Sequence, residues 1–92
     1  MNKTKFILEL AERMGRSPRE VREFIDNFFT LTTEVLTREE EVAFLGFGRF
    51  YPRKQQARPV RNPRTGAPIM LEERTTVRFK SGKELFEAIN RK

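Results

Sequence analysis

The sequence predicts an α+β fold in a single domain. Three observations lead there. Apolar residues recur at helical spacing between Thr4 and Thr37, β-favouring runs begin only at Val42, and a proline-rich basic stretch separates those runs. At 92 residues the chain is near the size at which one core supplies only modest stability, so association with a second subunit is expected.

The first helix is predicted over Thr4–Met14, with Phe6, Ile7, Leu10, Ala11 and Met14 on one face and Gly15 placed to end it. Ser17-Pro18-Arg19-Glu20 then offers a cap, a proline suited to the first helical position and the glutamate of a capping box. The second helix runs to about Thr37, with Val21, Phe24, Ile25, Phe28, Phe29, Thr32, Val35 and Leu36 following the 3.6-residue period. The adjacent Phe28 and Phe29 widen this stripe beyond what one short helix covers. Either it forms an ordinary single-chain core, or a sheet or second subunit meets it.

Arg38-Glu39-Glu40-Glu41 is a charged link. Its three adjacent carboxylates fit a solvated turn better than a metal or acid–base site, which needs groups converging from separate elements. Val42–Leu45 is predicted as a strand, Gly46-Phe47-Gly48 as a turn and Arg49-Phe50-Tyr51 as the next strand. A Gly-x-Gly also suits phosphate, but with no third glycine and no following helix the turn reading prevails.

From Val42 to Leu71 there is no Asp or Glu, while Arg49, Arg53, Lys54, Arg58, Arg61 and Arg64 are all present. Residues 52 to 71 also contain Pro52, Pro59, Pro63 and Pro68 and few apolar side chains. Such a segment buries no face of its own, and its prolines bar it from the centre of a sheet. It fits a projecting two-stranded ribbon reversing at Asn62-Pro63-Arg64-Thr65-Gly66, or else a disordered basic loop. Thr75–Lys80 is predicted to return to the sheet, and Ser81-Gly82-Lys83-Glu84 to cap a third helix with Leu85, Phe86 and Ile89 on one face. Asn90-Arg91-Lys92 is a basic end.

Charge divides the chain. The net charge is +6, with eight basic and nine acidic side chains in residues 1 to 51 and eleven and four in residues 52 to 92. The N-terminal segment has the character of a scaffold and the C-terminal one that of a surface for a polyanion. Cys and His are absent, which removes disulfides, thiolate zinc sites, thiol nucleophiles and the commonest general base. No catalytic constellation, cofactor site or metal site is expected. The amino terminus does not resemble a signal peptide and no apolar run approaches membrane-spanning length, so the expected location is the cytoplasm.

A basic ribbon suits a DNA groove, where its cations neutralise phosphates with little regard to sequence. Pro63 at the tip has two readings, a turn former or an apolar wedge that kinks the duplex. Lys80 and Lys83 flank the start of the third helix, where free backbone N–H groups favour phosphate, although a solvated face fits Lys83 equally well. RNA binding and docking on an acidic protein are the other two function classes that the charge permits. RNA readers often display stacking aromatics, whereas the arm has only Tyr51 at its base.

Four motifs carry a family resemblance: Met1-Asn2-Lys3-Thr4, Gly46-Phe47-Gly48-Arg49-Phe50, Arg61-Asn62-Pro63-Arg64-Thr65-Gly66 and Phe79-Lys80-Ser81-Gly82-Lys83-Glu84-Leu85. With them the whole chain resembles the bacterial HU/IHF family of histone-like DNA-bending proteins. The resemblance implies an intertwined dimer with a helical base, an antiparallel β saddle, two protruding β arms and a short C-terminal helix.

It divides the chain into a dimerisation scaffold at 1–51, a DNA-binding arm at 52–76 and a closing strand and helix at 77–92. Pro63 becomes the intercalating residue. Arg53, Lys54, Arg58, Arg61, Asn62, Arg64, Lys80 and Lys83 become DNA-binding, and Phe28, Phe29, Phe44, Phe47, Phe50 and Phe79 the dimer core. The implied role is bending of duplex DNA through the minor groove with little sequence preference, by a nucleoid-associated homodimer. An IHF-like subunit of a site-preferring heterodimer is the alternative. No membrane or small-molecule partner is implied. Val60, where glycine is common, together with Pro52 and Pro59, departs from the family pattern in the outgoing strand. Ser81 stands where proline is common.

Overall fold

A computed structural model describes residues 1–91, so Lys92 of the basic end lies outside the described residues. The elements follow in the order α1 (Lys3–Met14), α2 (Pro18–Thr37), β1 (Val42–Phe44), β2 (Gly48–Gln55), β3 (Arg58–Arg61), β4 (Pro68–Leu71), β5 (Arg74–Ser81) and α3 (Lys83–Ile89). The fold is α+β, with helices α1 to α3 and antiparallel strand pairs among the described residues.

Residues 1–34 form one compact unit. Asn2 caps α1 by accepting the Lys5 N–H at 2.9 Å, and Gly15 closes it in a left-handed conformation. At the start of α2 the Ser17 hydroxyl accepts the Glu20 N–H at 3.2 Å. The Glu20 carboxylate bonds the serine hydroxyl rather than reaching back to the backbone, so half of the expected capping box forms. The helical faces predicted from spacing meet through Ile7, Ala11, Val21 and Ile25, with Leu10 packed against them. Lys3 pairs with Asp26 at 2.6 Å at the edge of this contact. The core is small: Phe6, Leu8, Phe24, Phe29 and Leu31 on the same two helices remain at least half exposed.

Residues 35 onward form the second unit. Its three-stranded sheet has the order β1-β2-β5, and a separate two-stranded sheet pairs β3 with β4. β1 opposes only Gly48–Phe50. Beyond Phe50 the β1 side of β2 is therefore an open edge, which accommodates Pro52 inside a strand that is central at its other end. The expected division at 51/52 falls inside β2, and Leu45 belongs to the turn rather than to β1.

Two glycines fix how this unit packs. A β-carbon on Gly48 would lie 2.5 Å from the Phe79 ring and 2.7 Å from the Lys80 carbonyl oxygen. Gly82 similarly abuts the backbone of Gly46, where a β-carbon would approach within 2.7 Å. The β1–β2 turn then serves α3: the Gly82 N–H donates to Phe47 O at 2.8 Å and the Leu85 N–H to Gly46 O at 3.1 Å. Ser81 does not cap α3 as its sequence pattern predicts. It ends β5, and Gly82 is the N-cap, without a side-chain hydrogen bond.

Candidate nucleic-acid interface

Strand register sorts the basic residues by face, because directly opposed residues project to the same side and neighbours along a strand to opposite sides. Across β2 and β5 the pairs Arg49↔Lys80, Tyr51↔Arg78, Arg53↔Thr76 and Gln55↔Arg74 share one face. It is a basic face, with Arg49, Arg53, Arg74, Arg78 and Lys80. The other face carries Phe50, Pro52, Val77 and Phe79. Phe79 packs there against Phe50 at 4.8 Å between ring centroids and against Phe47 at 5.8 Å. Phe44, opposite Gly48, lies on that face as well.

This sorting adds residues and separates one. Arg49, Arg74 and Arg78 join the sequence-predicted contacts on the basic face, and the alternation through Arg74-Thr75-Thr76-Val77-Arg78-Phe79-Lys80 is the sequence signal that points to the last two. Arg49 is engaged within the protein, by the Glu41 carboxylate at 2.9 Å and by the Tyr51 ring at 4.9 Å. Lys54 does not share a face with Arg53. It projects with Phe50 and Pro52 and lies 2.8 Å from the Glu39 carboxylate. That contact holds the Glu39 carboxyl below the usual carboxylate range and the Lys54 ammonium above its ordinary value. Each shift comes first from the hydrogen bond between the two and then from their opposite charges.

The ribbon is ordered as β3 and β4, in register Arg58↔Leu71, Pro59↔Met70, Val60↔Ile69 and Arg61↔Pro68. Both strands are edges, so Pro59 and Pro68 cost no central ladder. Arg58, Arg61 and Arg64 are exposed, and no residue from Arg58 to Leu71 is buried. At the tip, Asn62 accepts the Arg64 N–H on its side-chain oxygen at 2.8 Å, while its backbone carbonyl accepts the Gly66 N–H at 2.7 Å. Thr65 closes the other side by accepting the Ala67 N–H at 3.2 Å. The two side-chain bonds are of Asx and Thr turn type, and the Gly66 bond closes the turn through the backbone. They hold Pro63 exposed between Asn62 and Arg64. Asn62 has a turn-shaping role before any role toward a ligand.

Lys80 belongs to the basic face, and Lys83 is the exposed first residue of α3. The backbone limits which N–H groups can meet a phosphate beside Lys83. The Gly82 and Leu85 N–H groups are occupied by the β1–β2 turn, and Glu84 places a carboxylate in the first turn of α3. Lys83 itself is an exposed cation at this helix start.

Comparison with known proteins identifies the family of the chain. The sequence model of the family described as bacterial DNA-binding protein matches residues 1–90. The chain belongs to this family. It is 38% identical over 90 residues to the integration host factor subunit alpha of Xylella fastidiosa (strain M12), covering 98% of this chain and 91% of the relative. It is 37% identical over 90 residues to DNA-binding protein HU-beta 2 of Neisseria meningitidis serogroup A, covering 98% and 99%. Among solved structures, the Anabaena HU–DNA cocrystal matches with a TM-score of 0.90 at 24% identity over the whole of both chains. HU from Thermotoga maritima matches at 0.70 and 26% identity, covering 98% of this chain and 100% of that one.

Members of this HU/IHF family are architectural DNA-binding proteins and not enzymes. DNA is accordingly the partner of the chain. Among the described residues, no group of His, Cys, Asp and Glu is arranged to hold a metal ion, and no helix is long and apolar enough to cross a membrane.

Proposed function

We propose that the chain is an HU-like homodimer that binds duplex DNA through the minor groove with little sequence preference and bends it at the ribbon tips. The observation that carries this reading is the tip itself. Pro63 is a compact apolar ring held in the open by the turn hydrogen bonds around it and flanked by Arg61 and Arg64. Such a ring can wedge between stacked base pairs while the flanking guanidinium groups take phosphates or the groove floor.

Arg53, Arg58, Arg61, Arg64 and Lys80 are the proposed DNA contacts, joined by Arg74 and Arg78 from the basic face. Lys83 is an outer phosphate contact. None of them needs to read a base edge, so affinity follows salt more than sequence. Compaction of the bacterial nucleoid is the role in the cell that fits such binding.

A second copy of the chain is proposed to cover the apolar surface that one copy leaves open. Phe24 is 57% exposed, Phe47 51% and Phe86 59%, an amount of aromatic surface that an isolated domain of this size does not ordinarily leave in water. Phe28, Phe29, Phe44, Phe50 and Phe79 belong to the same proposed interface. The turn at Gly46-Phe47-Gly48 and the scaffold at 1–51 supply its framework, the segment 52–76 the arm, and 77–92 the closing strand and helix.

A second reading has its own support. Several relatives carry the name of an integration host factor subunit, which favours a chain that pairs with a different one and prefers defined sites.

Binding of the purified chain alone to linear, nicked and random-sequence duplexes at several salt concentrations separates the two. An HU-like homodimer binds all of them, prefers nicked duplex and loses affinity steeply with salt. Binding that needs a second, different subunit or one defined sequence would establish the other reading. Preference for single-stranded RNA would overturn both.

A further inference from the structure

Glu39 occupies a backbone position that favours glycine. At the end of α2 the Glu39 N–H donates to Leu36 O at 3.0 Å and the Glu40 N–H to Val35 O at 3.2 Å, the two bonds of a Schellman closure. The residue between them is left-handed, with φ 63°, and Glu39 is the only non-glycine residue among those described with a positive φ. A side chain there carries a steric cost that glycine would avoid. In return, the Glu39 carboxylate reaches Lys54 Nζ at 2.8 Å.

Lys54 sits at a particular place in the ladder. The sheet of β2 and β5 ends with the pairs Lys54↔Thr75 and Gln55↔Arg74. Pairing then lapses across Gln56–Ala57 and Glu72–Glu73, and resumes at Arg58↔Leu71. Just before the lapse each face of β2 carries a side-chain tie, one to β5 and one to the end of α2. On the basic face the Arg74 side chain donates to Gln55 at 3.1 Å. On the opposite face Lys54 is held by Glu39, with Glu73 adding a weaker attraction.

We propose that Glu39 is a positioning residue for DNA binding, bracing the root of the ribbon to the end of α2 through Lys54, so that the ribbon flexes at the unpaired step and not at its root. The proposal rests on the reading that the ribbon carries the DNA contacts. A direct phosphate contact by Lys54 is disfavoured by its face, since it points away from Arg53, Arg74 and Arg78. The pair is solvent-exposed on both sides, so it tunes the ribbon rather than determining the fold. Loss of such a pair is worth about two- to fivefold in an equilibrium constant.

The test uses Glu39→Gln, Lys54→Gln, their combination, and the charge swap Glu39→Lys with Lys54→Glu. Each is measured for affinity to random-sequence duplex and for ribbon motion in the free protein. The chain has no cysteine, so a dye on Ala67→Cys reports that motion by anisotropy decay.

The brace predicts that both single variants weaken binding about two- to fivefold and widen the label's motion. The combination is then no worse than either single variant, and the charge swap restores both readouts. Glu39→Gly guards against mere misfolding. It relieves the left-handed backbone, so it should hold or raise the melting temperature while still loosening the ribbon.

Tighter binding by Glu39→Gln together with weaker binding by Lys54→Gln would overturn the brace and make Glu39 a competitor for a DNA-contacting lysine. Additive losses, or no change in either readout, would also overturn it. Failure of the underlying reading shows separately, as unchanged affinity in Arg58→Ala, a ribbon cation that the brace does not involve.

Discussion

Residues 1–34 bury Ile7, Ala11, Val21 and Ile25 against one another, whereas from Arg58 to Leu71 no side chain is buried at all. The helical segment is shaped by what it hides. The ribbon is shaped by backbone pairing, by turn bonds at its tip and by prolines that fix its path. A region without a core does not hold itself rigid through packing. It follows that its geometry is set by its root and by whatever it binds, and that substitutions in the two regions should register in different measurements.

The largest expected contrast is in stability. Ile7→Ala empties a fully buried position and should cost about 2–5 kcal/mol in chemical denaturation, whereas Ile69→Ala in the ribbon should cost within about 0.5 kcal/mol. A comparable loss from Ile69 would mean that the ribbon has a packed core after all. Phe79→Ala comes next, at about 3 kcal/mol if a second copy covers its exposed ring edge, with a denaturation midpoint that rises with protein concentration in the wild type. A midpoint independent of concentration, with a monomer in sedimentation, would remove the proposed interface.

Arg61→Ala should leave stability unchanged and act on DNA alone, lowering the magnitude of the log–log salt slope by about one. An unaltered slope would argue that Arg61 contacts no phosphate. The smallest effect concerns the pair at the ribbon's root. The Glu39 carboxyl is depressed in the folded protein, so the stability it contributes is present above its unfolded value and is lost as pH falls through the folded one. The Lys54 ammonium is raised, so its share is present below its unfolded value and is lost as pH rises through the folded one. The pair is strongest between those ranges, and Glu39→Gln should flatten the acid limb of the stability profile. An identical acid limb in the variant would show that the pair contributes nothing to folding.

Legibility from sequence divides along the same line as the two regions. The helices are readable because burial imposes the 3.6-residue period on Ile7, Ala11, Val21 and Ile25, and because Gly15 and Ser17 are the residues that helix ends require. The ribbon is readable mostly from what it lacks, acids and a bury-able face, together with the turn chemistry of Asn62-Pro63-Arg64-Thr65-Gly66.

Three features escape the sequence because they depend on pairing register or on contacts distant in the chain. Alternation along β5 already sets Arg74, Arg78 and Lys80 on one face, but that Arg53 of β2 shares it emerges only once Tyr51 is set opposite Arg78. Lys54 differs from Arg53 only by the face it occupies. Ser81 has the composition of a cap, but the pairing of β5 with Gly48 keeps it in the strand and passes the cap to Gly82.

The proposed wedge at the ribbon tip is tested most directly by the bend of a duplex labelled with a dye pair at its ends, compared by fluorescence transfer for wild type and Pro63→Ala at saturating protein. Loss of the ring should reduce the bend while most of the affinity remains, because the flanking arginines still neutralise phosphates. A bend equal to that of the wild type would contradict the wedge and leave Pro63 as a turn former only.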